Sequence, residues 1–493
     1  MTDIPIGDIP AIPMGDIPAY YAIKKANEVC LTYPEGSLTW QQLDQNSSKR
    51  AQAFDNLGVK QDDLVTVALP NSLAFHETMF ALWKLGATPH VISYALTPQE
   101  ITEIVDLANP KLTIGIEESL LSGHTAIPAD LATEEYSGHA MNSKVAKHWR
   151  AMSSGGSTGR PKIIVEHNPA LWGFDAAIVN MPMNSCVLNT GPLYHTSPFT
   201  WSHVALFQGN HLVGMDKFNA NEALLLIEKY SVRWTAMVPT MMLRIWKLSS
   251  EVKQAYDLTS IETVLHLAAP MPIWLKEKWI DWLGAERILE LYGGTESIGT
   301  TIISGPEWLE HKGSVGKANT DNVKILNDKG DECKRGEPGN ICFERPPGTT
   351  AQYHYVGAKP ILVKARWESL GDIGWMDEQG YLYLADRKAD MIISGGANIY
   401  PAEVESALME HPAVDTAVVI GIPDDDMGQT VHAIICLIDN CSVGLTEDSL
   451  REFLLARLVR YKTPRSYEFV DHPPRDDAGK TRRSQLIKER TNK

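Results

Sequence analysis

Between positions 153 and 162 the chain reads Ser153-Ser154-Gly155-Gly156-Ser157-Thr158-Gly159-Arg160-Pro161-Lys162. Its glycines let the backbone approach a polyphosphate closely, its hydroxyls and amides can donate to phosphate oxygens, and Lys162 adds positive charge. The Walker spacing GxxxxGK[ST] is not met, because Pro161 precedes Lys162 and Ile163 follows it. A Gly/Ser-rich run standing alone is more often a plain linker. Other polar clusters keep it company: Tyr292-Gly293-Gly294-Thr295-Glu296, then Gly371-Asp372 with Asp386-Arg387, then Pro474-Arg475-Asp476-Asp477-Ala478-Gly479-Lys480. Taken singly, Glu296 reads as a solvated loop acid, Asp372 as a turn former and Lys480 as a surface cation.

Residues so far apart need a large scaffold to bring them together. A chain of 493 residues exceeds what one hydrophobic core usually supports, so at least two domains are expected. With 44% hydrophobic and 22% charged residues it has an ordinary globular composition. From Leu38 onward helical and strand patterns alternate. Leu64-Val65-Thr66-Val67-Ala68-Leu69 is an apolar strand stopped by Pro70-Asn71-Ser72, and Phe75, Met79, Leu82 and Trp83 then follow at helical spacing. Leu275, Trp279 and Leu283 repeat the helical pattern and are read as core. This alternation predicts an α/β fold with a large N-terminal domain of mixed sheets over 1–386. After Arg387 the texture changes. Gly395-Gly396 lead to Pro401, which suits a helix's first turn, and Ala417-Val418-Val419-Ile420 forms a strand. A small, mobile α+β domain carrying Lys480 is therefore expected over 387–493. At the other end, Asp-Ile-Pro recurs at Asp3, Asp8 and Asp16, and the prolines predict an extended, loosely packed leader.

Composition also excludes some partners. A formal net charge of -16 disfavours binding to nucleic acid or anionic membrane surfaces, which relies on clustered Lys and Arg. The six cysteines are scattered without a CxxC pair, which points to neither a zinc site nor a disulfide framework and suits a reducing compartment. Met1-Thr2-Asp3-Ile4-Pro5 lacks the features of a signal peptide, and no apolar run is long enough to span a bilayer, so a cytoplasmic location is expected.

In their order, and over nearly the whole chain, these clusters resemble the signatures of the adenylate-forming superfamily, which includes acyl-CoA synthetases, luciferases and peptide-synthetase adenylation domains. The resemblance implies that Ser153, Ser154, Gly155, Gly156, Ser157, Thr158, Gly159 and Lys162 hold the phosphates of ATP. It implies that Thr295 contacts the α-phosphate, that Glu296 holds magnesium, and that Asp372 binds the ribose hydroxyls with support from Arg387. Tyr292, Gly293 and Ala269 would complete the nucleotide site, and Lys480 would bridge the substrate carboxylate and the α-phosphate. A carboxylate is a poor nucleophile beside a polyanion, so phosphate charge has to be neutralised while pyrophosphate departs. Lys162, Lys480 and the metal at Glu296 would do so.

Gly191-Pro192-Leu193-Tyr194-His195-Thr196-Ser197-Pro198-Phe199 resembles the family's segment beside the acyl pocket. His195 would orient the carboxylate or gate the acceptor tunnel, with a buried structural histidine as the rival reading. Tyr194, Phe199, Trp201, His203, Val238, Pro239 and Gly294 are expected to line the pocket, and the small Gly294 at its floor favours a bulky, flat acid. Two departures stand out. Leu267-Ala268-Ala269-Pro270 replaces the Gly-Gly-Ala-Pro that many relatives place against adenine, and Ala389 occupies a hinge position where Asp or Lys is common. The finer pattern, with Ser304-Gly305-Pro306-Glu307-Trp308 and Gly313-Ser314-Val315-Gly316, is similar to bile-acid and steroid-acid CoA ligases and to amide bond synthetases. The implied reaction uses ATP and magnesium to make an acyl-AMP from an aromatic or polycyclic acid. Rotation near Ala389 then permits transfer to CoA, or to an amine as the alternative acceptor, while closure excludes water.

Overall fold

The computed structural model describes residues 10–139, 141–155, 161–174, 178–345, 351–438, 445–475 and 479–491. Strands form where β-branched and aliphatic residues run between turn formers. Leu64–Val67 lies between Thr88–Val91 and Leu112–Ile114, all parallel. Thr88–Val91 continues to Ala151–Gly155, which is antiparallel to Pro161–Glu166. Tyr353–Val356, from much later in the chain, adds to Pro161–Glu166 at the edge of this seven-stranded sheet. A second sheet, of eight strands, aligns Cys186–Asn189, His211–Gly214, Trp234–Met237, Thr263–Leu267 and Ile288–Gly293 in parallel, with Thr300–Ser304 antiparallel beside the last.

Helix Leu73–Leu85 is capped by Ser72, ends at Gly86 in the left-handed conformation, and is buried from Phe75 to Leu85. Its buried charges are paired, Glu77 with Arg50 and Lys84 with Asp44, which lets the helix be enclosed in this way. Its Phe75, Phe80 and Trp83 share one core with Val65 and Val67 of the first sheet, Val187 and Leu212 of the second, and Phe199 and Phe207. Each buried aromatic or aliphatic side chain there contributes about 1.5–3 kcal/mol.

A third, antiparallel sheet joins Ser314–Lys317, Tyr381–Arg387, Trp367–Met376, Gly339–Glu344 and Val323–Leu326, and it sets Asp372 opposite Arg387 in register. The last sheet, from Ile392–Ser394 to Ser466–Val470, has its own core around Val404, Val419, Ile435 and Leu450. The architecture is the mixed α/β fold expected, with a smaller C-terminal part. No helix of the described residues is long and apolar enough to cross a membrane.

The proline-rich leader is not loose throughout. Ile12–Pro13 pairs with Leu171–Trp172, and helix Ile17–Lys25 follows with Pro18 in its first turn and Ile17 fully buried. Proline breaks a helix interior but fits its first turn, where its missing N–H would have had no intrahelical acceptor.

Candidate functional site

Pro161–Glu166 and Ala151–Gly155 bring Ser154 opposite Lys162 and Ser153 opposite Ile163. Ser153 Oγ lies 2.8 Å from Nε2 of the buried His90. Gly156, Ser157, Thr158 and Gly159 lie outside the described residues, and of Ser154 and Gly155 only the backbone is described. Lys162 Nζ is 3.2 Å from Glu296 Oε1 and 3.2 Å from Tyr355 Oη, while the Tyr355 hydroxyl donates to the same carboxylate oxygen at 2.6 Å. The ammonium also sits 4.3 Å from the Tyr355 ring centroid, a cation–π contact. Glu296 is only 7% exposed, and a carboxylate so enclosed needs partners of this kind. Burial first, and then the Glu296 carboxylate, hold the Tyr355 phenol protonated well above its usual range.

Tyr355 escapes a reading of the sequence alone. Tyr353 and Tyr355 are spaced to share one strand face, but nothing local shows that their strand pairs with the one carrying Lys162. Among the described residues no group of three or more His, Cys, Asp or Glu could hold a metal ion. Glu296 is a single enclosed carboxylate, and a small, strongly hydrated cation such as magnesium would take one carboxylate of this kind and fill its other positions with water and phosphate oxygens.

Thr295 Oγ1 lies 2.8 Å from Thr196 Oγ1, at the start of helix Thr196–Phe207. Tyr292 and Gly293 end the strand Ile288–Gly293. Tyr292 Oη donates to Asp372 Oδ2 at 2.8 Å, and Arg387 Nε is 3.5 Å from Asp372 Oδ1. Burial and the Asp372 carboxylate raise the Tyr292 phenol well above its ordinary value, so it remains a donor. Asp372 is thus oriented by a tyrosine and an exposed arginine. Beside the half-buried Ala269, Ala268 takes φ 70°, a conformation natural to glycine and costing another L residue roughly 1–2 kcal/mol. The departure from Gly-Gly-Ala-Pro therefore keeps a glycine-type backbone and adds a methyl group to it.

Lys480 reaches this region from the C-terminal part. Gly479, at φ +73°, lies so close to helix Pro239–Trp246 that an added Cβ would be 2.7 Å from Thr240 Oγ1. Burial first, and then the nearby Lys480 charge, push His195 down to about 3, so its imidazole is neutral at pH 7. Arg482 Nη1 also bonds Glu100 Oε1 at 2.5 Å across the two parts.

The residues assigned to the acid pocket divide. Phe199 and His203 are 0% exposed, and His203 Nδ1 donates to the Phe199 carbonyl at 2.8 Å. Their rings pack with Trp83 in the aromatic core, so they are core residues and not pocket wall. The reason is spacing: 199, 203 and 207 form the i, i+4 stripe that helix Thr196–Phe207 turns inward. Tyr194 and Trp201 remain half-buried, against Tyr94 and Trp234 respectively. Val238 and Pro239 open the helix on which Gly479 rests.

Gly294 is closely surrounded. A Cβ there would be 2.8 Å from Glu296 Oε2 and 2.8 Å from Leu370 Cδ1. Enlarging it presses on both Glu296 and Leu370. Gly294→Leu is thus expected to slow adenylation of acetate and of a fused-ring acid alike, by roughly tenfold or more. Relative kcat/KM values across an acid panel check this, and a loss confined to bulky acids would restore Gly294 to the pocket floor.

The AMP-binding enzyme profile matches residues 20–354, and that of the AMP-binding enzyme C-terminal domain matches residues 403–480. A 2-succinylbenzoate–CoA ligase of Geobacillus sp. (strain WCH70) is 29% identical over 467 residues, covering 92% of each chain. A feruloyl-CoA synthase of Amycolatopsis sp is 29% identical over 461 residues, covering 90% of this chain and 92% of that one. In three dimensions the chain is similar to o-succinylbenzoate CoA synthetase from Bacillus subtilis in complex with its acyl-adenylate intermediate, with a TM-score of 0.80, 25% identity, and coverage of 97% and 98%. With a family profile spanning most of its length and the phosphate, ribose and lysine segments in the family's order, the chain belongs to the AMP-binding enzymes.

Proposed function

We propose that this protein is an ATP-dependent acid–CoA ligase that activates an aromatic or polycyclic carboxylic acid as acyl-AMP, releases pyrophosphate, and transfers the acyl group to CoA. The observation that carries the proposal is the meeting of charges from distant segments: Lys162 on Glu296, and Lys480 beside His195. Two ammonium groups there can offset the charge that builds on the α-phosphate and the leaving pyrophosphate. Neutral His195 can hydrogen-bond the acid without adding charge. Asp372, oriented by Tyr292 and Arg387, is suited to accept from ribose hydroxyls. Magnesium, when bound at Glu296, neutralises phosphate charge. Relatives matched over nine-tenths of their length include 2-succinylbenzoate–CoA ligases and feruloyl-CoA synthases, which supports an aryl acid as substrate and CoA rather than an amine as acceptor. We place the domain division at Arg387, between the third and last sheets, with the mobile part carrying Lys480. Cys30, Cys186, Cys333 and Cys342 are free thiols, which supports a reducing, cytoplasmic location.

Acid-dependent exchange of labelled pyrophosphate into ATP across an acid panel, followed by mass spectrometry with CoA added, tests this function. Aryl acids should support exchange and yield CoA thioesters, and a panel without any acid-dependent exchange would remove the proposal. Glu296→Gln is expected to raise the magnesium requirement and to slow adenylation by about tenfold or more, because an amide is a poorer ligand for a hard cation than a carboxylate. A magnesium titration at saturating ATP checks it, and an unchanged dependence would place the cation elsewhere.

A further inference from the structure

Glu405, on helix Pro401–Met409, is a buried carboxylate that none of the chemistry above employs. Arg475 Nη2 donates to its Oε2 at 2.6 Å, while Arg483 Nη2 at 2.6 Å and the Val419 N–H at 2.8 Å donate to its Oε1. Burial acts to raise the Glu405 pKa, but the two guanidinium groups overcome it and hold the carboxyl below its ordinary value. The Arg475 fork has two further acceptors. Its Nη2 reaches the Ala417 carbonyl at 3.0 Å, on strand Val414–Asp424, and its Nη1 reaches the Gly479 carbonyl at 3.1 Å. That second carbonyl belongs to the peptide plane containing the amide nitrogen of Lys480. Fixing a planar peptide at its oxygen fixes the direction in which the next residue leaves.

We propose that Arg475 is a positioning residue for Lys480: clamped by Glu405 to the C-terminal sheet, it holds the Gly479–Lys480 peptide so that the lysine enters the nucleotide site. Gly479 contributes from the other side, seated where a Cβ would strike Thr240. The peptide is thereby held between its own sheet and the large domain. A planar fork spreads its donors over separate nitrogens and holds acceptors set apart in a fixed geometry, whereas an ammonium concentrates its three donors on one atom. Arg483, which bonds Asp390 at 3.0 Å next to Ala389, secures the remaining oxygen of Glu405 and ties the clamp to the hinge.

The inference rests on the adenylation role of Lys480, and the experiment separates the two. Arg475→Gln keeps Glu405 paired with Arg483 and the Val419 N–H, so the fold retains its buried ion pair. Acid-dependent pyrophosphate exchange should fall about ten- to a hundredfold in kcat with the KM for ATP little changed, as expected when a catalytic group is misplaced by about an ångström. Transfer of an acyl group to CoA from supplied acyl-adenylate should stay within about twofold of wild type. Arg475→Lys should recover only part of the exchange rate. Adding Arg475→Gln to Lys480→Ala should cause no further loss, because a residue that acts through Lys480 has nothing left to position. Equal losses in both half-reactions, additive losses in the double variant, or full exchange in Arg475→Gln would each overturn the proposal. If Lys480→Ala alone keeps wild-type exchange, the Lys480 assignment falls and takes the proposal with it.

Discussion

Lys480→Ala abolishes acyl-adenylate formation: acid-dependent pyrophosphate exchange is expected to fall by roughly a hundredfold or more, while acyl transfer to CoA from supplied acyl-adenylate stays near wild type. The asymmetry follows from where the lysine comes from. It belongs to the C-terminal part and enters the site across the Gly479–Thr240 contact, close enough to His195 to oppose protonation of that ring. On the proposed function it would supply charge only while the two parts are docked in this way, and the proposed rotation near Ala389 would withdraw it before CoA attacks. Lys162 and Glu296 both come from the large part and pair with each other there. Exchange at the wild-type rate in Lys480→Ala would remove the lysine from the chemistry, and equal losses in both half-reactions would make its role structural.

Acidification from pH 7 to pH 5 is expected to remove several kcal/mol of folding stability. His90, His195 and His203 are pushed from 6.5 to about 3, in each case chiefly by burial. The unfolded chain takes up these protons first. A histidine of depressed folded pKa therefore contributes its full stability above pH 6.5, and the contribution is lost as pH falls below that value. Each can lose up to about 2 kcal/mol between pH 7 and pH 5, or about 6 kcal/mol for the three. Asp386 works the other way, because burial raises it to about 6 and its protonation offsets about 1 kcal/mol over the same interval. Domains are commonly stable by only 5–15 kcal/mol, so the remaining loss should be plain as a drop in urea midpoint between pH 7 and pH 5. An unchanged midpoint would mean that these rings ionise in the folded state or are already desolvated in the unfolded one.

The candidate chemistry was legible in the sequence through the order of its clusters. The glycine, hydroxyl and lysine content of residues 153–162 suits a phosphate by itself, whereas the Gly-Thr-Glu of 294–296 and the Gly-Lys of 479–480 take their meaning only from their resemblance, in order, to the superfamily's signatures. The α/β alternation was local. The strand at Leu64, the helix through Phe75 and Trp83, and Pro401 in a helix's first turn follow from periodicity and from the conformational limits of single residues. What the sequence left open was which distant segments meet. Tyr355 touches Glu296 and Lys162 because one edge strand adds to another, a pairing made by backbone groups common to every residue type. Gly294 is required by Leu370 as well as by Glu296, and Leu370 lies on a different sheet. The core placement of Phe199 and His203 was not legible because helix Thr196–Phe207 mixes polar and apolar residues around its circumference, with no polar side to show which stripe faces inward. From Ile12 onward the leader is ordered because Leu171–Trp172 offers Ile12–Pro13 a strand to pair with. Sequence determined which groups are available and their local conformation. Tertiary structure decided which of them touch, because packing between remote segments depends on shape and register that no single segment contains.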